Sequence, residues 1–357
     1  MLSKLKGLFS GAKQTETSKG SACASETAQE NPVSKSSNND KLLNEYGNQD
    51  LEHARELNLA FISNLIGVRA LETNESKQQE LELRAALDAE MTGMTERSIP
   101  KLSKSAMSLM HDLMSPEVDQ NKIVKAVNED PGLAGRVLSI ANSPVYVAPG
   151  IKIKGIEHAL SMLGHIRLRQ VVMTSLMSNK FKIDSSYFET FGQSLWEHST
   201  EVAINARDIA DTKGGDAGLA YFAGLIHDIG KLIIFKKLVE LHKKEQQQPH
   251  PQVFSNLLND YSDVLTRRAC EVWGLPEYWY QPVLEFQMAS PGDLKSTESV
   301  ALFLANSCAE LHTLYSAGEI TQFELVWRLQ EAGSDIDEFM ALYPDAVKEE
   351  QEEATAS

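Results

Sequence analysis

The residues best suited to chemistry lie inside the most apolar run of the chain. Leu219–Phe235 contains the sequence "AGLIHDIGKLII", and within this run only His227, Asp228 and Lys231 can carry charge near neutral pH. Burying such groups costs several kcal/mol unless each finds a partner. These side chains therefore either satisfy one another or bind something.

A second histidine belongs to the same argument. In "LWEHSTEVAINARDIA", His198, Val202 and Ala206 are spaced by four, so they share one face of a helix. That face is apolar, which predicts that His198 points toward the core, as His227 does. Two buried imidazoles and the carboxylate of Asp228 would then come from two helices of one domain.

This set, His198, His227 and Asp228, is called the inner triad below, and it has two possible uses. Neutral imidazoles and a carboxylate are good ligands for a divalent transition metal. Alternatively, the triad is a polar cluster retained for packing, in which Asp228 accepts hydrogen bonds from the histidines. Lys231 lies four residues after His227 on the same helical face, where it could hold Asp228 or a phosphate.

The elements around these residues are predicted to be helices. Helix-start signals recur, with Ser115 as a cap before Pro116 and Asp130 as a cap before Pro131. No run alternates in the manner of a β-strand, and the Pro and Gly of "YVAPGIKIKGI" indicate a loop. We therefore predict an all-α body.

Composition divides the chain into four segments. Residues 1–40 are polar and Ser/Lys-rich, and we predict that they are disordered. Residues 41–95 follow a helical pattern and are predicted to form a helical hairpin. The main domain is predicted over residues 96–315. Residues 316–357 are predicted to form a C-terminal helix and an acidic tail.

The hairpin segment carries an apolar face that something must cover. The helical spacing collects these residues near one face: Leu51, Ala54, Leu57, Ala60, Phe61, Leu65 and Val68. The face either packs on the main domain or pairs with another copy of the chain, which would make a homodimer through residues 41–95.

Charge and cysteine content narrow the class of protein. The net charge of −16 and pI of about 5.1 argue against nucleic-acid binding, since phosphate neutralisation needs a surplus of Lys and Arg. Cys23, Cys270 and Cys308 show no paired spacing, which favours a reducing compartment. Leu219–Phe235 is slightly short for a transmembrane segment and carries charges at its centre. We expect a cytoplasmic protein with no transmembrane segment.

Several separated motifs, in order, resemble the HDOD domain family, a degenerate branch of the HD metal-dependent phosphohydrolases. They run from about Ser98 to about His312 and include "GIEHALSMLG", "LWEHSTEVA" and "AGLIHDIGKL". Earlier pieces of the family pattern are Pro100, Asp130, Pro131, Asn142 and Ser143, followed by Gly164. The resemblance implies an HD-domain-like helical fold. It would have an N-terminal lobe over about 96–182 and a degenerate HD lobe over about 183–315.

The departures from the family pattern concern metal ligands. Catalytic HD domains end with an Asp on a late helix, and Asn306 stands at that place in "ESVALFLANSCAELH". Histidines found around the "WGLP" segment in many relatives are replaced by Ser262, Phe286 and Gln287. Only the inner triad remains, so the resemblance implies a vestigial metal site. We expect no cofactor, or one weakly bound divalent ion.

The resemblance implies signalling or regulation in bacteria more than catalysis. We expect a non-catalytic regulatory protein that binds a signalling protein or a small regulatory ligand, with no nucleic-acid partner. The competing hypothesis is a metal-dependent phosphohydrolase acting on a nucleotide or a cyclic dinucleotide. Asn306 and the missing histidines count against it, because phosphate-ester hydrolysis needs a firmly held metal.

Overall fold

Helices make up the regular structure of the computed structural model. It describes residues 56–66, 74–92, 99–115, 117, 119–178, 190–245, 251–288 and 293–346. No strand occurs among these residues, and the all-α prediction is confirmed. The helices are α1 (Glu56–Ile66), α2 (Asn74–Thr92), α3 (Lys104–Met114), α4 (Gln120–Asn128), α5 (Pro131–Ala141), α6 (Ile156–Ser178), α7 (Phe191–Thr212), α8 (Ala217–Ile226), α9 (Ile229–Glu245), α10 (Pro251–Val272), α11 (Glu277–Met288), α12 (Thr297–Ser316), α13 (Gln322–Glu331) and α14 (Ile336–Leu342).

Two predicted segments lie outside the described residues. These are residues 1–40, for which disorder was predicted, and most of the predicted acidic tail, from residue 347 onward. The chain divides into two units, Met1–Leu43 and Asn44–Ser357, and all helices described here belong to the second.

The N-terminal lobe is built from α3 to α6, with one predicted helix start correct and one wrong. Asp130 caps α5 by accepting a hydrogen bond from the Leu133 N–H at 2.9 Å, and Pro131 follows at the first turn. The start predicted at Ser115–Pro116 is wrong, because Ser115 ends α3 instead. The next helix begins four residues later, where the Asp119 carboxylate caps α4.

The connection from α5 to α6 is held by Asn142. Its amide nitrogen donates to the carbonyls of Leu138 and Ile153, and its oxygen accepts from the Ile153 N–H at 2.8 Å. The backbone carbonyl of Ser143 accepts from the N–H groups of the following turn. This loop leads into α6, which breaks at Gly164, where φ is 75°. That value suits glycine, and beyond the break α6 becomes buried.

The second lobe is built from α7 to α12, and its tightest contacts occur at two glycines of the "AGLIHDIGKL" motif. A Cβ at Gly224 would lie 2.5 Å from the Cα of Ala203, so α8 can cross α7 closely only with glycine there. A Cβ at Gly230 would lie 1.8 Å from the carbonyl oxygen of Ser262, where α9 crosses α10. The motif therefore fixes the helix packing around its own ionisable residues.

The apolar motif segment is a core element. Ala217–Leu241 is long and apolar enough to cross a membrane by length and composition, but 89% of its most apolar window is buried inside the protein. The charged residues of its Leu219–Phe235 part lie at or near the junction of α8 and α9. This burial is the pattern of a core segment of a globular protein, as the interrupted apolar run predicted.

Both helices from the predicted hairpin segment lie against the main domain. In α1, Leu57 and Phe61 are buried and Leu65 is partly buried within the single chain. In α2, Arg84 forms an ion pair with Asp260 of α10 at 2.7 Å. The apolar face of α1 is thus covered without a second copy of the chain.

The C-terminal segment differs from the prediction of one helix. Residues 316–346 contain two helices, α13 and α14, because Gly333 adopts a φ of 77° and Asp335 caps a new helix by accepting from the Glu338 N–H. Their buried side chains form a small second core with the end of α12, and Leu57 of α1 joins it.

Candidate functional site

The candidate site is a buried polar cluster where α7, α9 and α12 meet. α7 contributes His198, the turn between α8 and α9 contributes His227 and Asp228, and α9 contributes Lys231. The ligand atoms of the inner triad all lie within 4.8 Å of one another. None of the four side chains belongs to a residue more than 5% exposed. The structure therefore brings together all four residues that the sequence singled out.

Asp228 is held mainly by Lys231. The Lys231 ammonium lies 2.8 Å from one carboxylate oxygen and 3.1 Å from the other. Burial alone would raise the pKa of Asp228, but the attraction of His227, Lys231 and His198 outweighs it and lowers that pKa to about 2. The carboxylate is therefore ionised at neutral pH and already paired with a cation.

The two imidazoles are neutral at physiological pH. Burial lowers the pKa of His198 to about 4, and it also lowers the pKa of His227, against the attraction of Asp228 in both cases. The Nε2 atoms of His198 and His227 lie 3.8 Å and 3.4 Å from carboxylate oxygens of Asp228. These contacts are longer than hydrogen bonds, so the histidines need another partner.

That partner is Asn306. Its side-chain oxygen position lies 3.1 Å from the Nε2 of His198 and 3.1 Å from the Nε2 of His227. His227 donates its Nδ1–H to the Gly224 carbonyl at 2.7 Å, so a neutral His227 ring presents a lone pair at Nε2. Turning the amide by 180° directs its NH₂ group at both rings, one hydrogen to each. An amide can satisfy two neutral histidines in this way, whereas an ionised carboxylate has no hydrogen to donate.

Sequence reasoning missed Glu310, one turn after Asn306 on α12. It is only 2% exposed, and the Asn58 amide of α1 donates to its carboxyl group at 2.6 Å. Burial raises the pKa of Glu310 to about 7, and Glu310 also hydrogen-bonds Asn306. A protonated Glu310 can donate to the Asn306 oxygen and leave the amide NH₂ for the histidines. A glutamate in the apolar stretch "ANSCAELH" was the signal available in the sequence.

Aromatic rings enclose the cluster. The Phe61 ring of α1 lies 4.5 Å from the His198 ring, centroid to centroid, and the Phe286 ring lies edge-on to His227 at 6.1 Å. Phe286 occupies one of the places where relatives carry a histidine. Of the other two, Ser262 presents its backbone oxygen to Gly230, and Gln287 is half-buried on α11. None of these three residues supplies an imidazole or a carboxylate to the triad.

The arrangement does not fit a catalytic metal centre. A divalent ion at the inner triad would compete with Lys231 for the Asp228 oxygens, and the Asp228–Lys231 pair leaves no net negative charge to balance the ion. Among the described residues, the only group of three or more metal-ligating side chains in range of one another is the inner triad itself. The chemistry that these residues support is mutual hydrogen bonding and ion pairing.

The matched family is the HDOD domain, over residues 99–288. This segment is just over half of the 357 residues, and the chain belongs to the HDOD family. The suspected resemblance is thereby confirmed. The match ends with α11, so α12, which supplies Asn306 and Glu310, lies beyond it.

A solved structure shows the same fold at low sequence identity. An HDOD domain protein from Geobacter sulfurreducens superposes with a TM-score of 0.51, at 22% identity, covering 74% of this chain and 94% of that one. This similarity supports the HD-domain-like helical fold, with an N-terminal lobe and an HD lobe.

Short stretches of the chain are similar to ribonuclease Y. The Helicobacter pylori protein is 51% identical over 47 residues, 13% of this chain and 9% of the relative. The Bacillus subtilis protein is 38% identical over 81 residues, 21% of this chain and 15% of the relative. The chain therefore spans less than a fifth of the length of either curated relative.

Proposed function

We propose that this chain is a non-catalytic regulatory HDOD protein of the bacterial cytoplasm. It acts by binding a signalling protein or a small regulatory ligand, and it needs no cofactor, although one divalent ion can bind weakly. The acidic net charge of −16 is consistent with a protein or small-molecule partner and inconsistent with a nucleic-acid partner.

The observation that carries the proposal is the pairing within the cluster. Lys231 contacts both oxygens of Asp228, and Asn306 lies at 3.1 Å from both Nε2 atoms. Both carboxylate oxygens and both Nε2 atoms of the inner triad are thus engaged by a neighbouring side chain. A metal would have to break these contacts and enter a pocket with no surplus negative charge, which weakens its affinity.

The test is a metal and turnover assay on the purified full-length chain. The protein is incubated with Mn²⁺, Fe²⁺, Ni²⁺ or Mg²⁺ and a panel of nucleotides, cyclic dinucleotides and a generic aryl phosphate. We expect no turnover and substoichiometric metal after dialysis. The variant Asn306→Asp should retain more metal, because it adds a carboxylate and removes the amide donor.

The alternative is a metal-dependent phosphohydrolase acting on a nucleotide or a cyclic dinucleotide. The observation in its favour is the convergence of three ligand atoms within 4.8 Å. Turnover that disappears in both His227→Ala and Asp228→Ala, with folding intact, would establish this alternative. A pull-down from the cell extract of the source organism would then be unnecessary; otherwise it is the way to identify the partner.

A further inference from the structure

Helix α1 closes the polar cluster on one side. Its Phe61 ring packs on His198 at 4.5 Å between centroids, and its Asn58 donates a hydrogen bond to Glu310 at 2.6 Å. A third contact joins Ser63 to Ser255 of α10 at 3.4 Å. Two of these three contacts end on residues of the cluster.

The apolar side of α1 is buried in this position. Phe61 and Ile62 are 0% exposed, and Leu57 and Ile66 are each 8% exposed. Leu57 belongs to the small C-terminal core, while the other three belong to the main core. α1 therefore lies across the boundary between the two cores, directly over the cluster.

The contents of the cluster distinguish this arrangement from ordinary core packing. It encloses the Asp228–Lys231 ion pair and Glu310, which would all gain hydration if water entered. α1 itself is 11 residues long by its bounds, too short to be a stable helix away from the body. Two contributions to the free energy of docking therefore oppose each other. Burial of the apolar face of α1 favours the docked state, and hydration of the cluster favours the released state.

We propose that α1 is a lid over the polar cluster, held closed by Phe61 and Asn58, and that its release opens the cluster to solvent and ligands. That this lid controls the access of a ligand or partner rests on the proposed function.

Helix α2 provides a matched comparison within the same chain. It also precedes the family segment, and it packs on α10 through Leu83 and Leu87, which are 1% and 0% exposed. Its hydrogen bonds go to α10, including that from Tyr261 to Asp88 at 2.5 Å. The hydrogen bonds described between α2 and other helices end on α10, so Leu87→Ala loosens a neighbouring helix while leaving Phe61 and Asn58 in place.

The experiment measures histidine accessibility on the full-length chain with diethyl pyrocarbonate at neutral pH. Mass spectrometry reads the modification rates of His198 and His227, with the exposed His158 and His165 as internal references. We expect the rate at His198 to rise about tenfold in Phe61→Ala, because local opening sets access to a buried group. Asn58→Leu, which removes only the Glu310 contact, should raise it less. Leu87→Ala should leave it at the wild-type rate.

Hydrogen exchange of the unmodified protein supplies the second measurement. We expect the amides of α1 to exchange before those of α7 and α12. The lid is overturned if α1 exchanges together with α12, or if Leu87→Ala exposes His198 as much as Phe61→Ala does. Neither result depends on metal binding or turnover, so failure of the lid and failure of the proposed function are distinguishable.

Discussion

Polar residues serve different purposes in the two lobes. In the N-terminal lobe, Asp130 and Asn142 bond to backbone groups three to eleven positions away. Asp130 caps the start of α5, and Asn142 caps its end and fixes the loop that follows. In the HD lobe, the inner triad, Lys231 and Glu310 bond mainly to other side chains, up to 252 positions away. The first set shapes the backbone locally. The second set pairs buried charged and polar side chains with one another and does not shape the backbone.

This difference predicts how each lobe responds to substitution. A capping residue can be replaced at the cost of one hydrogen bond, because water reaches the exposed helix end. A member of the buried cluster leaves an unpaired charge or donor where water is absent, which costs more. The cluster should therefore be the more sensitive region, and removing both partners of a pair should cost less than removing one.

Asp228→Ala should have the largest effect. It leaves the Lys231 ammonium buried without its partner, and we expect a loss of about 3–5 kcal/mol in the free energy of unfolding. Urea denaturation followed by circular dichroism measures it. The double variant Asp228→Ala/Lys231→Met should recover most of the loss. The pair of Arg207 with the exposed Asp208 is the control, and Asp208→Ala should cost about 1 kcal/mol or less.

If the double variant were as unstable as Asp228→Ala, the carboxylate would matter for a reason other than Lys231. The remaining candidate would be its contacts of 3.4 Å and 3.8 Å with the histidines. That result would remove the charge argument on which the comparison of the two lobes depends.

Glu310→Gln should change the pH dependence of stability. The folded-state pKa of Glu310 is raised to about 7 from 4.5, so its contribution to stability is lost as pH rises from 4.5 to 7. The pKa of His198 is lowered from 6.5 to about 4, so its contribution is lost as pH falls over nearly the same range. The pKa of His227 is lowered as well, so Glu310 opposes both histidines in the wild-type chain. Wild-type stability should therefore rise less steeply from pH 4.5 to 6.5 than the histidines alone would make it.

In Glu310→Gln only the histidine contribution remains, so stability should rise with pH across this window. Between pH 4.5 and 8 the variant should gain about 3 kcal/mol relative to wild type. Urea midpoints at half-unit pH intervals measure the profile. Glu298→Gln, in the partly buried first turn of the same helix, is the matched control, because it makes the same substitution outside the cluster. A parallel profile for Glu310→Gln would mean that Glu310 titrates normally.

The sequence predicted the helical class, the HDOD family and the four central residues of the cluster. The physical reasons for these predictions also explain which residues were missed. His198, His227, Asp228 and Lys231 stand out because charge within an apolar helical stripe is costly and visible. Glu310 was missed because its partner, Asn58, lies 252 positions away and no local pattern links them.

The wrong helix start at Ser115 has a comparable origin. Ser115–Pro116 and Asp119 are both acceptable start signals, and they lie four residues apart. The choice depends on where α3 ends, and the Ser115 N–H bonds back to His111 and Asp112 as the end of that helix. The position at which α3 ends therefore decided between the two local signals.

Asn142→Ala tests the local role of polar residues in the N-terminal lobe. The substitution removes three hydrogen bonds to backbone groups, including both groups of the buried Ile153. We expect a loss of about 2 kcal/mol, smaller than that of Asp228→Ala, since the backbone groups are only partly cut off from water. Ser161→Ala, which removes one exposed hydrogen bond to Glu157, is the control and should be nearly neutral. A loss as large as that of Asp228→Ala would erase the contrast between the lobes.

Asp130→Ala should have the smallest effect. Compared with Asp130→Asn, it decides whether this aspartate acts as a hydrogen-bond acceptor or through its charge. Its carboxylate accepts the Leu133 N–H at 2.9 Å at the start of α5, and losing that cap should cost about 1 kcal/mol. Asn caps a helix as well as Asp does, so Asp130→Asn should be nearly neutral by the same denaturation assay. If the negative charge of Asp130 itself stabilised the fold, the Asn variant would lose as much stability as the Ala variant. Equal losses would thus assign Asp130 a role beyond capping, and they would extend electrostatic function into the lobe where polar residues otherwise serve the backbone.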